Sequence, residues 1–224
     1  MAKLEIACFN LAAVQIAQSN KADRVELCAE MELGGTTPDV EDIRKAREML
    51  SIPLNVMIRP RGGDFVYTDL EFERMQEEIR HAKTLGVDGF VFGILQQDNT
   101  VNLRQNEILV QLAAPLPCTF HRAFDEVSDM AKALEDVISC GFTTILTSGC
   151  EPNAEFGASN LAQLVQLSKN RISIMPGGGL RSTNIEHIAR TTAAPYFHSS
   201  AITDGGDTAV AEEVLALKTK LNSL

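Results

Sequence analysis

Charged side chains follow a short apolar run in the segment NVMIRPRGGDF, residues 55–65. Arg59 and Arg61 end the run, and two glycines and Asp64 come next. Guanidinium groups bind carboxylates and phosphates through paired hydrogen bonds, and glycine lets the backbone fold back over a ligand. We therefore predict an anion clamp formed by Arg59 and Arg61, with Asp64 fixing one guanidinium. The alternative is an internal ion network in which Arg59 neutralises Glu26 and no ligand is bound.

A second polar segment, TFHRAFD at residues 119–125, carries groups that could move a proton. Histidine has an unperturbed pKa near neutrality, and carboxylates also act as general acids and bases. We predict that His121 or Glu26 transfers the proton. The alternative for His121 is a core histidine hydrogen-bonded to Glu26 or to a backbone carbonyl. The predicted catalytic residues are Glu26, Arg59, His121 and Asp125.

Glycine- and serine-rich segments follow three later apolar runs. The segment MPGGGLRS, residues 175–182, offers consecutive glycine amides just before a predicted helix, where a phosphate group binds well. The segments LTSG (146–149) and FHSSA (197–201) add hydroxyl and imidazole groups. The alternative is a tight strand-to-helix connection that binds nothing. The predicted anion-binding residues are Arg59, Arg61, Ser148, Gly177, Gly178, Gly179, His198 and Ser199.

These segments lie within a repeated pattern of strands and helices. Short β-rich runs start near residues 4, 24, 54, 89, 118, 144, 172 and 196, and amphipathic stretches separate them. In DLEFERMQEEIRHAKTLG, residues 69–86, apolar residues recur at helical spacing. The pattern predicts an α/β fold, a (β/α)8 TIM barrel forming one domain over residues 1–224. An open doubly wound sheet is the alternative, but the first strand lacks the glycine-rich turn typical of that fold.

Alternation along the strands predicts which side chains face the barrel interior, because successive side chains point to opposite faces. Apolar residues such as Val25, Leu27 and Ile58 suit the helix side, which turns their polar neighbours inward. The predicted interior polar residues are Glu5, Glu26, Asn55, Arg59 and His121. A buried charge is costly unless it is paired, so we expect these groups to pair with each other or with a ligand. Barrel active sites lie at the carboxyl ends of the strands, where several of these residues fall.

The composition narrows the function further. The chain has 20 basic and 30 acidic residues, a formal charge of -10 and a pI near 4.9, which argue against nucleic-acid and anionic-membrane partners. The N-terminal segment lacks a signal-peptide pattern, and no stretch reaches the ~20 apolar residues of a membrane helix. The five cysteines are scattered without metal-binding spacing, so we expect a reducing, cytoplasmic location. No P-loop is present, and no nucleotide cofactor is predicted.

Seven segments of the chain match one known family pattern in order: ADRVELCAEMELGGTTPD, VMIRPRGGDFVYTDLEFERM, DGFVFGIL, TFHRAFD, ILTSG, GGGLRSTNI and FHSSA. Together they resemble the CutC family of copper homeostasis proteins. The match spans nearly the whole chain, and MIRPRGGDF and TFHRAFD are its most specific parts. The resemblance implies a cytoplasmic TIM barrel, often a homodimer, that takes part in copper homeostasis with copper as its ligand.

The resemblance also implies a sulfur-containing metal site, since Cu(I) prefers thiolate and thioether ligands. The family's first strand reads Glu-(Ile/Val)-Cys, where this chain has Glu5, Ile6 and Ala7. The predicted metal ligands are Cys28 and Cys8, although alternation points Cys8 beneath a helix. The alternative for Cys28 is a small buried hydrophobic residue.

Two functions are compatible with these observations. The first is that of the CutC family, a cytosolic copper homeostasis factor that binds Cu(I) for buffering or transfer. The second is a TIM-barrel enzyme that acts on a small anionic or phosphorylated substrate at the carboxyl-terminal mouth of the barrel. Anion-binding donors outnumber soft metal ligands in the predicted interior, which favours the second, whereas the family resemblance favours the first. We therefore predict a CutC-type copper homeostasis protein, with the TIM-barrel enzyme as the alternative.

Overall fold

The computed structural model describes residues 2–224, in which strands and α-helices alternate. The strands are β1 (Lys3–Cys8), β2 (Arg24–Leu27), β3 (Leu54–Met57), β4 (Gly89–Phe92), β5 (Cys118–Phe120), β6 (Thr144–Thr147), β7 (Ser173–Pro176) and β8 (Tyr196–Ser199). The helices are α1 (Leu11–Ser19), α2 (Val40–Met49), α3 (Asp69–Thr84), α4 (Leu103–Ala113), α5 (Met130–Ser139), α6 (Ala158–Ser168), α7 (Ile185–Thr192) and α8 (Ala211–Asn222). Short 3-10 segments, Met31–Leu33 and Arg122–Glu126, follow β2 and β5.

The eight strands form one parallel sheet, whose hydrogen-bonded order is β7-β6-β5-β4-β3-β2-β1-β8. The last strand, β8, pairs with the first strand, β1, which also pairs with β2. This pairing brings the two ends of the chain together and curves the sheet into a barrel. Side chains bridge the remaining seam between β7 and β8. The Ser199 hydroxyl donates to the Leu180 carbonyl oxygen at 2.7 Å, and Arg181 donates to the Ser199 hydroxyl at 3.3 Å. The result is the predicted (β/α)8 TIM barrel, nearly closed and in one domain.

Helix α3 shows how the local sequence determines where a helix begins and which of its faces is buried. Thr68 and Glu71 form a capping box, in which each side chain accepts a hydrogen bond from the other's backbone N–H at 3.3 and 2.8 Å. Met75, Ile79 and Ala82 then form the buried stripe that packs on the barrel. With 16 residues α3 is the longest helix described, and no helix within residues 2–224 is both long and apolar enough to cross a bilayer.

Alternation along the strands divides the side chains as predicted. Leu4, Ile6, Val25 and Leu27 are buried in the main hydrophobic core between sheet and helices. The intervening polar residues are also buried, each at 5% exposure or less, but on the barrel side. They are Glu5, Glu26, Asn55, Arg59 and His121. The barrel interior is therefore a polar chamber at the carboxyl ends of the strands rather than a filled apolar core.

Candidate functional site

A cavity of about 100 Å³, which we call the inner pocket, opens inside the barrel at the carboxyl-terminal ends of the strands. Its polar and thiol-bearing wall is formed by Glu26, Cys28, Arg59, His121, Arg122 and His198. A wider and more open cleft of about 550 Å³ lies between the loops after β7 and β8. There the backbone N–H and the hydroxyl of Ser182 both donate hydrogen bonds to the Glu213 carboxylate. The inner pocket is the candidate site because polar atoms without partners collect in it.

Arg59 enters the inner pocket with no carboxylate partner within residues 2–224, and its guanidinium stacks 4.7 Å from the centre of the Phe65 ring. Its Nη1 donates to the carbonyl oxygens of Leu33 at 2.8 Å and Gly35 at 3.0 Å, and its Nη2 donates to that of Gly63 at 2.7 Å. The Nε–H has no hydrogen-bond partner, and within residues 2–224 no carboxylate, including that of Glu26, forms an ion pair with this guanidinium. Arg59 therefore holds the loops after β2 and β3 together, while its Nε–H makes no hydrogen bond within residues 2–224.

His121 presents a neutral donor to the same cavity. Its Nδ1 accepts the backbone N–H of Ala123 at 3.3 Å, so the ring proton belongs on Nε2, which has no partner among residues 2–224. Within residues 2–224, neither Glu26 nor a backbone carbonyl accepts a hydrogen bond from the ring. Burial and the neighbouring charge of Arg59 lower the pKa of His121 to about 3. The imidazole is therefore uncharged at physiological pH.

Glu26 is the acidic residue that lines the inner pocket. The His198 ring stands between two carboxylates, with Nδ1 2.8 Å from Glu5 Oε1 and Nε2 3.6 Å from Glu26 Oε2. Glu5 is also ion-paired with Arg24. The second oxygen of Glu26, Oε1, is buried and has no partner within residues 2–224. The His198 ring therefore lies beside both carboxylates, and its predicted role in anion binding stays a prediction.

Burial and neighbouring charges shift the pKa values of Glu5, Glu26 and His198 in different ways. Burial would raise the pKa of Glu5, but Arg24 and His198 outweigh it and lower the pKa to about 2. Burial raises the pKa of Glu26 to about 7, with Glu5 adding to the effect and His198 opposing it. Burial would lower the pKa of His198, but Glu26 and Glu5 raise it above its usual value. Glu26 is thus the carboxyl group of the pocket that titrates near neutral pH.

Cys28 and Cys8 lie in different environments. Cys28 lines the inner pocket and packs in a small apolar cluster with Met57 and Val91. Cys8 belongs to the main core beneath the helices, and its thiol points to the carbonyl oxygen of Ile6 at 3.6 Å. Burial and the charge of Glu26 raise the pKa of both thiols. The structure does not bring the two predicted metal ligands into one site.

Arg61 lies outside the inner pocket. Its guanidinium donates to Glu71 at 2.6 Å and to Asp64 at 2.9 Å, and it stacks 5.2 Å from the centre of the Tyr67 ring. Asp64 fixes a guanidinium as predicted, but the contact fastens the loop before α3 and not a ligand site. The structure thus brings only Arg59 of the predicted clamp to the cavity.

Asp125 and Ser148 join two neighbouring loops. The carboxylate of Asp125 accepts the Arg122 Nε–H at 2.7 Å and the backbone N–H of Ser148 at 2.8 Å. The Ser148 hydroxyl donates in turn to the carbonyl oxygen of Glu151. These bonds tie the segment after β5 to the segment after β6 and hold Arg122 at the edge of the inner pocket. Their predicted catalytic and anion-binding roles stay predictions.

The glycine segment after β7 also lies at the edge of the inner pocket. The Gly177 N–H donates to the Thr147 carbonyl oxygen at 2.9 Å, which extends the sheet ladder. Gly178 and Gly179 have φ angles of +91° and +78°, and a Cβ on Gly178 would stand 3.1 Å from the Arg122 guanidinium carbon. The left-handed backbone at Gly178 and Gly179 therefore favours glycine at both positions. Gly177, Gly178, Gly179 and Ser199 do not line the cavity, and their predicted anion binding stays untested.

Arg24 is a site residue that the alternation pattern alone could have identified. It stands two positions before Glu26 in β2 and so shares the inward direction of that residue. Glu5 is paired in register with Arg24 on β2 and with His198 on β8. That register joins the two ends of the chain, and no local pattern in the sequence reveals it.

Comparison with known proteins identifies the family. The CutC family pattern matches residues 2–203. The human copper homeostasis protein cutC homolog is 44% identical over 185 residues, which cover 83% of this chain and 68% of the human protein. A family protein CutC from Chromobacterium violaceum is 43% identical over 198 residues, which cover 88% of this chain and 80% of that protein.

Solved structures agree with this assignment. The crystal structure of CutC from Streptococcus agalactiae has a TM-score of 0.86 at 37% identity, and the match covers 91% of this chain and 100% of that one. Phosphoribosyl anthranilate isomerase from Thermotoga maritima has a TM-score of 0.68 at 14% identity over the full length of both chains, a likeness of fold alone. On these matches, together with the fold and the quoted segments, the chain belongs to the CutC family.

Proposed function

We propose that this member of the CutC family is an enzyme that binds a small anionic molecule in the inner pocket. The observation that carries the proposal is the buried Arg59 guanidinium, which has backbone carbonyl partners but no carboxylate. Burying a charge without a counter-charge costs several kcal/mol. An anion in the inner pocket would supply the counter-charge, and one of its oxygens would accept the free Nε–H.

The other free groups of the inner pocket suit the same kind of ligand. The His121 Nε2–H is a second donor, and Glu26 Oε1 is a carboxyl oxygen without a partner within residues 2–224. A buried carboxyl group with a pKa of about 7 is typical of an acid or base in catalysis, which supports an enzyme over a passive binding protein. The formal charge of -10 does not oppose anion binding, because Arg59 sets the local potential.

Titration of the wild-type protein with acetate and with inorganic phosphate tests this function. We expect saturable binding in isothermal calorimetry, with a dissociation constant on the order of 1 mM or tighter. His121→Ala should bind roughly tenfold more weakly, because it removes one hydrogen bond to a charged ligand. Arg190→Gln, on the exposed surface of α7, is the control and should bind like the wild type. If neither anion shows saturable binding, the proposal is wrong.

The CutC family name supports a second candidate function, copper homeostasis through direct binding of Cu(I). Two sulfur-bearing side chains favour it. Cys28 Sγ and Met57 Cε both lie 3.5 Å from the point where a Cβ on Gly35 would stand, so they share one wall of the inner pocket. A thiolate and a thioether are the ligand types that Cu(I) prefers.

The remaining residues of the inner pocket fit Cu(I) poorly. Ala7 occupies the inward position of β1 where the family pattern implies a second thiol. Burial and Glu26 raise the pKa of the Cys28 thiol well above its usual value, whereas a metal binds the thiolate. Glu5, Glu26 and His198 can each offer a ligand atom within 4.8 Å of one another, but oxygen and nitrogen donors suit a divalent cation better than Cu(I).

An anaerobic Cu(I) titration against a competing chelator tests the copper function. We expect Cys28→Ser to weaken Cu(I) binding far more than the matched variant Cys8→Ser, by roughly 100-fold, because only Cys28 faces the inner pocket. Equal losses in the two variants would show that copper binds elsewhere. If the wild-type protein takes no Cu(I) from the chelator, direct copper binding is excluded for this chain.

We also propose a reducing location such as the cytoplasm. All five cysteines are free thiols, which is typical of proteins from reducing compartments. The CutC resemblance further supports a homodimer as the assembly. Sedimentation of the purified protein would measure its mass directly.

A further inference from the structure

Two donors of the inner pocket cannot act as bases. The His121 Nδ1 already accepts the Ala123 N–H, so its Nε2 carries the proton, and this N–H has no partner within residues 2–224. The Arg59 Nε–H is free in the same way. A guanidinium and a neutral imidazole N–H stabilise oxygens on which negative charge is present or develops. This wall therefore suits a ligand that presents a carboxylate and a carbonyl oxygen.

Glu26 supplies the complementary chemistry. Its Oε2 lies 3.6 Å from His198 Nε2, and Glu5 holds the other nitrogen of that ring at 2.8 Å. Oε1 is left buried, without a partner, in a residue that lines the cavity. A buried carboxylate that lines a cavity, with one oxygen beside a histidine ring and the other without a partner within residues 2–224, can take a proton from bound carbon.

The dimensions of the inner pocket restrict the ligand. A cavity of about 100 Å³ favours a compact ligand over one as large as a sugar phosphate. Two donors near the usual phosphate position of barrels are also engaged within the protein. The Gly177 N–H donates to the Thr147 carbonyl oxygen, and the Ser182 N–H donates to the Glu213 carboxylate at 2.6 Å. The small cavity and these engaged donors favour a carboxylate as the acidic group of the ligand.

We propose that the inner pocket catalyses proton transfer at the carbon next to the carbonyl group of a small 2-oxo carboxylate, with Glu26 as the base. This inference rests on the proposed function, because Arg59 must first bind the carboxylate. It adds the substrate class, a 2-oxo acid of about six to seven non-hydrogen atoms, which the cavity can hold.

The step is balanced by groups of this chain. An O–H bond forms on Glu26 Oε1 as the C–H bond breaks, and the electron pair of that bond forms the C=C bond of an enolate. The carbonyl π pair moves onto oxygen, where the His121 Nε2–H stabilises the negative charge. The reverse step returns a proton from Glu26 to carbon, so the exchange needs no oxidant, reductant or further reactant.

Deuterium exchange into pyruvate and 2-oxobutanoate tests the proposal. In D2O the wild-type protein should replace the C3 hydrogens of either acid, seen as loss of their ¹H NMR signals. Glu26→Gln should slow this exchange by at least roughly 100-fold while binding pyruvate within about threefold of the wild type. His121→Ala should slow exchange by roughly tenfold more than it weakens binding. Arg190→Gln, on the exposed surface of α7, should exchange at the wild-type rate.

The outcomes separate the two proposals. If the wild type binds pyruvate but exchanges its hydrogens no faster than Glu26→Gln does, the proton-transfer inference is overturned and anion binding stands. If acetate or phosphate binds but neither 2-oxo acid does, the substrate class is overturned. If none of the four anions binds, both the inference and the proposed function fail.

Discussion

Arg59→Met is expected to weaken the binding of acetate and of phosphate by roughly 30- to 1000-fold. Removing one partner of a buried, hydrogen-bonded charge pair costs about 2–4 kcal/mol, which corresponds to this range. The guanidinium is 5% exposed and has no carboxylate partner within residues 2–224, so a bound anion would be its counter-ion. Isothermal calorimetry gives the change in affinity directly.

Two further arginine variants test whether the loss of affinity is specific to Arg59. Arg61→Met should change affinity by less than about threefold, because its guanidinium is bonded to Glu71 and Asp64 outside the inner pocket. Arg190→Met, on the exposed face of α7, controls for loss of surface charge. Arg59→Met also leaves three loop carbonyls without their donors, so circular dichroism must confirm the fold at the titration temperature. Equal losses in Arg59→Met and Arg61→Met would point to a long-range charge effect and contradict a specific contact.

Glu26→Gln is expected to make the protein more stable than the wild type at pH 8, by about 1–3 kcal/mol. In the unfolded chain Glu26 releases its proton near pH 4.5, whereas in the folded protein burial keeps it bound until about pH 7. Between these values the folded state binds more protons than the unfolded state, so the free energy of unfolding of the wild type falls as pH rises. Glutamine cannot ionise, so the variant lacks this loss of unfolding free energy at high pH.

The neighbours of Glu26 define the pH window. His198 on β8 and Glu5 on β1 face it, Arg24 lies on its own strand, and Cys28 follows directly after that strand. The pKa of His198 is raised in the fold, so its contribution to stability is present below its unfolded value and is also lost as pH rises. The pKa of Glu5 is lowered to about 2, so its contribution is lost only in acid, below the window.

Chemical denaturation at intervals from pH 5 to pH 8 measures this effect. The wild-type unfolding free energy should fall across the range, and the slope for Glu26→Gln should be clearly smaller. Glu73→Gln, an exposed residue of α3, is the matched control and should follow the wild-type curve. Parallel curves for the wild type and Glu26→Gln would mean that the buried carboxyl group does not titrate in this window.

The side chains that face the barrel interior could be predicted, because their direction follows from the alternation of neighbouring residues in each strand. In β1, β2 and β3 one backbone geometry places every second side chain on the same face, so Glu5, Glu26 and Asn55 could be assigned from their apolar neighbours. The same alternation separated Cys8 from Cys28. Each of these assignments depends on residues one or two positions apart.

Other parts of the site depend on geometry that the sequence does not encode locally. Strand β3 ends at Met57, so alternation no longer governs Arg61, and nearby acids decide where its guanidinium lies. The predicted anion-binding role of His198 rests on its place beside Ser199 and stays a prediction. Its hydrogen-bond partner Glu5 is 193 residues away, and the two meet because β8 pairs with β1.

The side chain of Arg59 connects two loops as well as the cavity. It bonds to carbonyl oxygens of Leu33 and Gly35 after β2 and of Gly63 after β3. Either loop can swing away only by breaking bonds to the guanidinium that faces the inner pocket. Opening of the loop after β2 would therefore break hydrogen bonds of the same guanidinium that supplies positive charge to the inner pocket.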